Sequence, residues 1–163
     1  MGTTLAPTEQ ELLQFLGDSA TDPLLFVQGI FPWREDATAL AYEDGPDRWQ
    51  TEVLQALGAQ AGHGGRLAIA SGHGVGKSAL AAWVVLWFLA THPTPQIVVT
   101  ANTSVQLASK TWRELALWLG RSFLRPYFVW TATKCYHRDY PETWFASAIP
   151  WSPHRPEAFA GTH

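Results

Sequence analysis

The sequence predicts an α/β fold built on a parallel sheet and preceded by an acidic, mainly helical N-terminal segment. Three observations predict it. Residues 66–119 alternate strand, glycine-rich turn, helix, strand and helix, the pattern of a parallel sheet with crossover helices. Residues 1–60 carry ten acids and two bases, a balance of −8, whereas residues 61–163 carry four acids and nine bases, +5, for the total of −3. Hydrophobic residues make up 47 % and charged residues 15 %, a composition that buries a core. The 163 residues suffice for one compact domain, with a helical lead-in over 1–60 and the α/β core over 61–163.

In the lead-in, Thr8 and Glu11 have capping-box spacing and open a helix through Leu12, Leu13, Phe15 and Leu16. Asp22-Pro23 starts a second apolar segment, Leu24–Ile30, closed by Pro32-Trp33. Residues 43–47, rich in acid, Gly and Pro, read as a loop. Asp47 is placed to cap a helix over Arg48–Ala59, with Trp49, Val53, Leu54 and Leu57 on one face. Four glycines in 58–65 read as a connector.

The core begins with Leu67-Ala68-Ile69-Ala70, a short apolar run suited to a buried parallel strand. A helix from Lys77 to Leu89 is apolar nearly all round, so it should be covered on most sides. Pro93 and Pro95 end it. Ile97–Thr100 is the second strand candidate. Thr103 and Gln106 have capping-box spacing and open a helix through Val105, Ala108, Trp112, Leu115, Ala116 and Leu119, stopped by Gly120. Beyond it, Phe128–Thr133 and Thr143–Ile149 read as strands that can pair with each other.

Between the first strand and the first core helix lies Ser71-Gly72-His73-Gly74-Val75-Gly76-Lys77-Ser78. This is a phosphate-binding P-loop (Walker A motif), with Ser71 where the first glycine is usual. Glycines at 72, 74 and 76 let main-chain N–H groups converge on phosphate oxygens. Val75 and His73 contribute their amides, Lys77 a point charge to the β- and γ-phosphates, and the Ser78 hydroxyl a ligand to Mg²⁺. The helix points its positive end at the anion. The flanking strand, the terminal Lys-Ser and the following helix together favour ATP with Mg²⁺ over a ligand-free turn.

Hydrolysis also needs an acid to hold the metal and a base to orient water. After Ser78 the acids are Glu114, Asp139, Glu142 and Glu157, and none ends a run of four apolar residues. Glu114 falls inside a helix. No Walker B strand is therefore expected, and catalytic residues stay unassigned. Cys135, the only cysteine, excludes an intrachain disulfide and a cysteine-built zinc site. No signal peptide and no apolar run long enough for a bilayer is read, so no membrane association is expected and the cytoplasm is the expected compartment. The basic second part suits a phosphate-rich partner as well as it suits a solvated surface.

Six stretches together resemble the ATPase half of the large terminase subunit of tailed bacteriophages and prophages. They are Phe31-Pro32-Trp33, residues 45–50, Ser71–Ser78, Val99–Thr103 with Gln106, Pro141–Ala146 and Glu157–His163. The resemblance implies a partial P-loop NTPase core of the ASCE type, cut before Walker B and without the nuclease domain. It implies an adenine-reading role for Gln50. It implies DNA-facing or coupling roles for Thr100, Asn102, Thr103 and Gln106, for which helix capping is the plain alternative. It also implies double-stranded DNA, a small terminase subunit and the capsid portal as partners, a homo-oligomer in the full-length family, and the cytoplasm of a bacterial host. His73 stands where many members have arginine. The family hydrolyses ATP to package viral DNA and cuts it with an endonuclease. A non-catalytic nucleotide-binding module acting with a partner chain, or another, helicase-like P-loop ATPase, are the rival expectations.

Overall fold

A computed structural model describes residues 6–70, 72 and 74–150. Ser71, His73 and the stretch Glu157–His163 lie outside them. The fold is mixed α/β. Three helices lead in: α1 (Glu9–Asp18), α2 (Pro23–Ile30) and α3 (Arg48–Gly58). They are followed by α4 (Lys77–Thr91), β1 (Gln96–Val99), a helical run, and the strands β2 (Phe128–Trp130), β3 (Lys134–His137) and β4 (Phe145–Ala148). The helical run comprises α5 (Ser104–Gln106), a π-helical segment (Leu107–Trp112) and α6 (Arg113–Arg121).

The lead-in helices start as their caps dictate. Glu11 N donates to Thr8 Oγ1 at 3.3 Å, and the Glu11 carboxylate accepts from Thr8 N at 2.8 Å, closing the capping box of α1. The Asp22 carboxylate accepts from Leu25 N at 2.9 Å, and Pro23 fills the first turn of α2, where its missing N–H is not needed. The apolar run after Asp22 is thus a helix, burying Phe26, Val27 and Ile30 completely.

The α4 helix is the axis of the core. It buries Leu80, Ala82, Trp83, Leu86, Trp87 and Leu89, and packs against α1, α2, α6, the π segment and β4. Covered on so many sides, it needs no polar face. Each fully buried leucine contributes about 2 kcal/mol from removal of apolar surface from water. Indole N–H groups tie the elements together. Trp87 Nε1 donates to Ser19 O at 3.0 Å, Trp144 Nε1 to Leu89 O at 2.6 Å, and Trp112 Nε1 to Thr131 O at 2.8 Å.

The sheet has order β1-β4-β3-β2. Only β1 and β4 pair in parallel, with Ile97 opposite Ala146; β3 runs antiparallel to both β4 and β2. The sheet is therefore mixed and not all parallel. Two expectations change with it. The strand expected over Phe128–Thr133 stops at Trp130. There the Thr131 hydroxyl accepts from Lys134 N at 3.0 Å and its own N–H donates to Lys134 O at 2.8 Å, closing a turn that starts β3. Residues 143–149 do supply a strand, but its neighbours are β3 and β1, not β2.

The larger difference is Leu67–Ala70. These residues belong to no strand among the described residues, and Leu67 and Ile69 are each 42 % exposed. They run beside Trp49, Glu52, Val53 and Ala56 of α3, lining a shallow groove with them. A four-residue apolar run becomes a buried strand only between hydrogen-bonding neighbours. Here β1 has a single neighbour, β4, and stands at the sheet edge.

The third difference is the π segment. The sequence placed Val105, Ala108 and Trp112 together along one helix. Trp112 is buried, but with Leu107, while Ala108 is exposed and Val105 is 73 % exposed. Leu107 and Trp112 are five residues apart, the hydrogen-bond spacing of a π turn. The buried Trp112 indole, bonded to Thr131 O, fixes that register.

Candidate functional site

The glycine-rich turn takes the backbone shape its sequence demands. Gly74 (φ 75°) and Gly76 (φ 86°) are both left-handed, a conformation that costs most other residues about 1–2 kcal/mol. Gly76 is the N-cap of α4 and its carbonyl accepts the first helical bond, from Leu80 N at 3.1 Å. The first turn of this 15-residue helix thus opens at Lys77 and Ser78. The Lys77 ammonium donates to Gly72 O, bridging the loop on itself.

Gln50 locks this turn from behind. Its side chain is 4 % exposed. Gln50 Oε1 accepts from Asp47 N at 2.8 Å, the return bond of a capping box on α3. Gln50 Nε2 donates to Gly76 O at 3.1 Å. A Cβ on residue 76 would stand 2.8 Å from Gln50 Nε2, so glycine is required there both by φ and by this close approach. One amide therefore joins the start of α3 to the start of α4.

An open pocket of about 470 Å³ faces the turn. One wall is Gly74–Ala79. The other is Gln106, Lys110 and Glu114, from the helical run after β1. Of the residues read as coupling or DNA-facing, Gln106 reaches this pocket. Thr100, Asn102 and Thr103 are exposed in the turn before α5 and do not line it, and Thr103 Oγ1 accepts from Gln106 N at 3.1 Å as the cap. Lys110 and Glu114 were not singled out from sequence as site residues. Their spacing of four and eight residues from Gln106 is the signal that points to them.

A second, smaller pocket of about 190 Å³ has Gln50 in its lining and shares Ala79 with the first. Trp33, Trp83 and Trp118 form its aromatic part, and Glu43, Asp47, Gln50 and Arg121 its polar part. The three indoles pack edge-to-face or tilted on one another, with centroids 5.0–6.0 Å apart. The buried Trp83 Nε1 has no hydrogen-bond partner among the described residues. A larger pocket, about 570 Å³, lies by α1 and α2 and carries Glu11 and Glu35 but no cation.

Chemically, the 470 Å³ pocket is lined by the main chain of the glycine turn, a helix start, two ammonium groups, a hydroxyl and the Glu114 carboxylate. That set suits a polyanion carrying a divalent metal, with Ser78 able to contribute a ligand. No helix among the described residues is long and apolar enough to cross a membrane. No family model, curated protein or solved structure matches the chain.

Proposed function

We propose that the chain binds Mg²⁺·ATP, with the triphosphate on Gly74–Ser78 and the base toward Gln50. The observation that carries this reading is the turn itself: two left-handed glycines delivering Lys77 and Ser78 to the first turn of α4, on an open pocket. Metal bound there would screen phosphate charge, and the chain's part is to hold the tail by amides and ammonium. For the base, the pocket with Trp33, Trp83 and Trp118 offers ring faces, and each polar atom of the Gln50 amide retains one bonding capacity beyond those used on Asp47 and Gly76. Calorimetry tests the reading. Wild-type protein binds ATP at millimolar Mg²⁺, and Lys77→Ala loses most of that affinity. No heat from folded wild-type protein refutes it.

On this reading the chain is the ATP-binding N-terminal portion of a phage terminase large subunit, the motor of viral DNA packaging. Double-stranded DNA, a small subunit and the portal are its proposed partners. The order of the six matching stretches supports it. A second reading, a nucleotide-binding module completed by another chain, is favoured by the exposed run Leu67–Ala70, which has no ladder partner among the described residues. Phosphate release that appears only when another chain is added distinguishes the second reading.

A further inference from the structure

Resting on the nucleotide-binding reading, we propose that the far wall of the phosphate pocket reads the terminal phosphate and its metal. Lys110 contacts the γ-phosphate, and Glu114 favours the metal-bound over the metal-free nucleotide. Three observations lead here.

The first is alignment. Gln106, Lys110 and Glu114 all line the pocket whose opposite wall is Gly74–Ala79. In a continuous α-helix, four residues overrun a turn by about 40°, so positions i, i+4 and i+8 drift around the axis. The π segment Leu107–Trp112 has wider turns, in which four residues fall short of a full turn. The two errors oppose each other, and the three side chains stay on one side. The π segment thus has a consequence for the site as well as for the core.

The second is what Lys110 and Glu114 do not do. Their i, i+4 spacing would allow an ion pair with each other. Among the described residues the ion pairs are Arg34–Asp44 and Arg48–Glu52. Glu114 is held otherwise: its Oε2 accepts from Trp118 Nε1 at 3.1 Å, and Trp118 is packed in the aromatic cluster. A rigid indole therefore fixes one oxygen of the carboxylate.

The third is charge. Lys77 and Lys110 stand on opposite walls of one pocket, and Glu114 is its carboxylate. Two cations converging from two elements suit a tail whose charge grows with each phosphate. A carboxylate beside them penalises bare phosphate and favours phosphate neutralised by a cation.

The test compares Mg²⁺·ATP with Mg²⁺·ADP by calorimetry on the full chain. Wild-type protein prefers ATP. Lys110→Ala weakens ATP binding about tenfold, leaves ADP binding within about twofold, and so removes the preference. Lys110→Arg keeps the preference. Lys77→Ala weakens both nucleotides. Glu114→Gln, whose amide oxygen can still accept from Trp118, reduces the difference in ATP affinity between magnesium and EDTA buffers. Lys110 is exposed, so its variants should keep the wild-type melting temperature, which is measured alongside. Equal loss of ATP and ADP affinity in Lys110→Ala, or no loss of either, overturns the proposal while leaving the P-loop reading intact. Folded wild-type protein that binds neither nucleotide overturns both.

Discussion

The bond between Gln50 and Gly76 gives a quantitative test of how the turn is held. Gln50→Ala removes two hydrogen bonds, to Asp47 N and Gly76 O, each worth about 1 kcal/mol. Gly76 O keeps its bond from Leu80 N, so no buried acceptor is orphaned and the cost stays near 2 kcal/mol. Gly76→Ala imposes a left-handed alanine, about 1.5 kcal/mol. Its Cβ would also stand 2.8 Å from Gln50 Nε2 and displace the amide. That displacement forfeits the same two bonds, so the single variant costs about 3.5 kcal/mol. In the double variant the bonds are lost once and the clash disappears. Its cost is again about 3.5 kcal/mol, roughly 2 kcal/mol less than the sum of the singles. Urea unfolding of the four proteins, with unchanged slopes, measures the cycle. Additivity within about 0.5 kcal/mol would refute the claim that one side chain both needs and enforces the glycine.

Three further outcomes follow from the same structure. Burial pushes the Cys135 thiol up to about 12, so it should react with a thiol reagent at pH 8 far more slowly in folded than in urea-unfolded protein. Because the folded form keeps the thiol neutral, its contribution to stability is present below the unfolded value near pH 8.5. It declines as pH rises toward the folded value, and unfolding midpoints of wild type against Cys135→Ala measure that decline. Hydrogen bonds from the Thr8 hydroxyl and amide hold the Glu11 carboxyl below its ordinary value. Its contribution is therefore present above the unfolded carboxylate value and lost as pH falls through the lowered one. Thr8→Ala should cost about 1 kcal/mol at pH 7 and less at pH 3, read from urea midpoints. Amide hydrogen exchange should be fast over 67–70 and slow over 80–89. Comparable protection of the two segments would contradict the unpaired state of the first.

The lead-in was legible because its signals are local. A Thr-to-Glu interval of three, an Asp-Pro start and an Asp before an amphipathic run each determine a helix end within a few residues of chain. The shape of the glycine-rich turn was legible for the same reason, since Gly74 and Gly76 answer to their own dihedrals. What escaped depends on distant partners. Leu67–Ala70 has the composition of a buried strand, yet strand formation is decided by neighbours, and the sheet places β4 and not this run beside β1. The π segment escaped because apolar spacing of three and four fits 105–119 well. The five-residue step from Leu107 to Trp112 shows only once Trp112 is seen bonded to Thr131. Lys110 and Glu114 were hidden behind that same shift. Gln50 was noticed, but its bond to a carbonyl 26 positions away has no signature in the chain.

These facts give the glycine-rich turn two unequal ends. Downstream, Gly76 is held by the first bond of α4, by the Gln50 amide and, through α4, by the most buried part of the core. Upstream, Leu67–Ala70 rests against α3 with Leu67 and Ile69 each 42 % exposed. A polyanion binding at the turn would pull amides from both sides toward one point, and the cost of that convergence falls on the end with fewer bonds. Anything that paired the 67–70 backbone would therefore lower the ordering cost of binding without touching the ligand. The Gln50 link has the opposite character, since its contribution is already present before ligand arrives. On the proposed nucleotide-binding reading, firmer pairing of the strand-like approach to the loop should therefore add to the affinity that Lys77 and Ser78 supply.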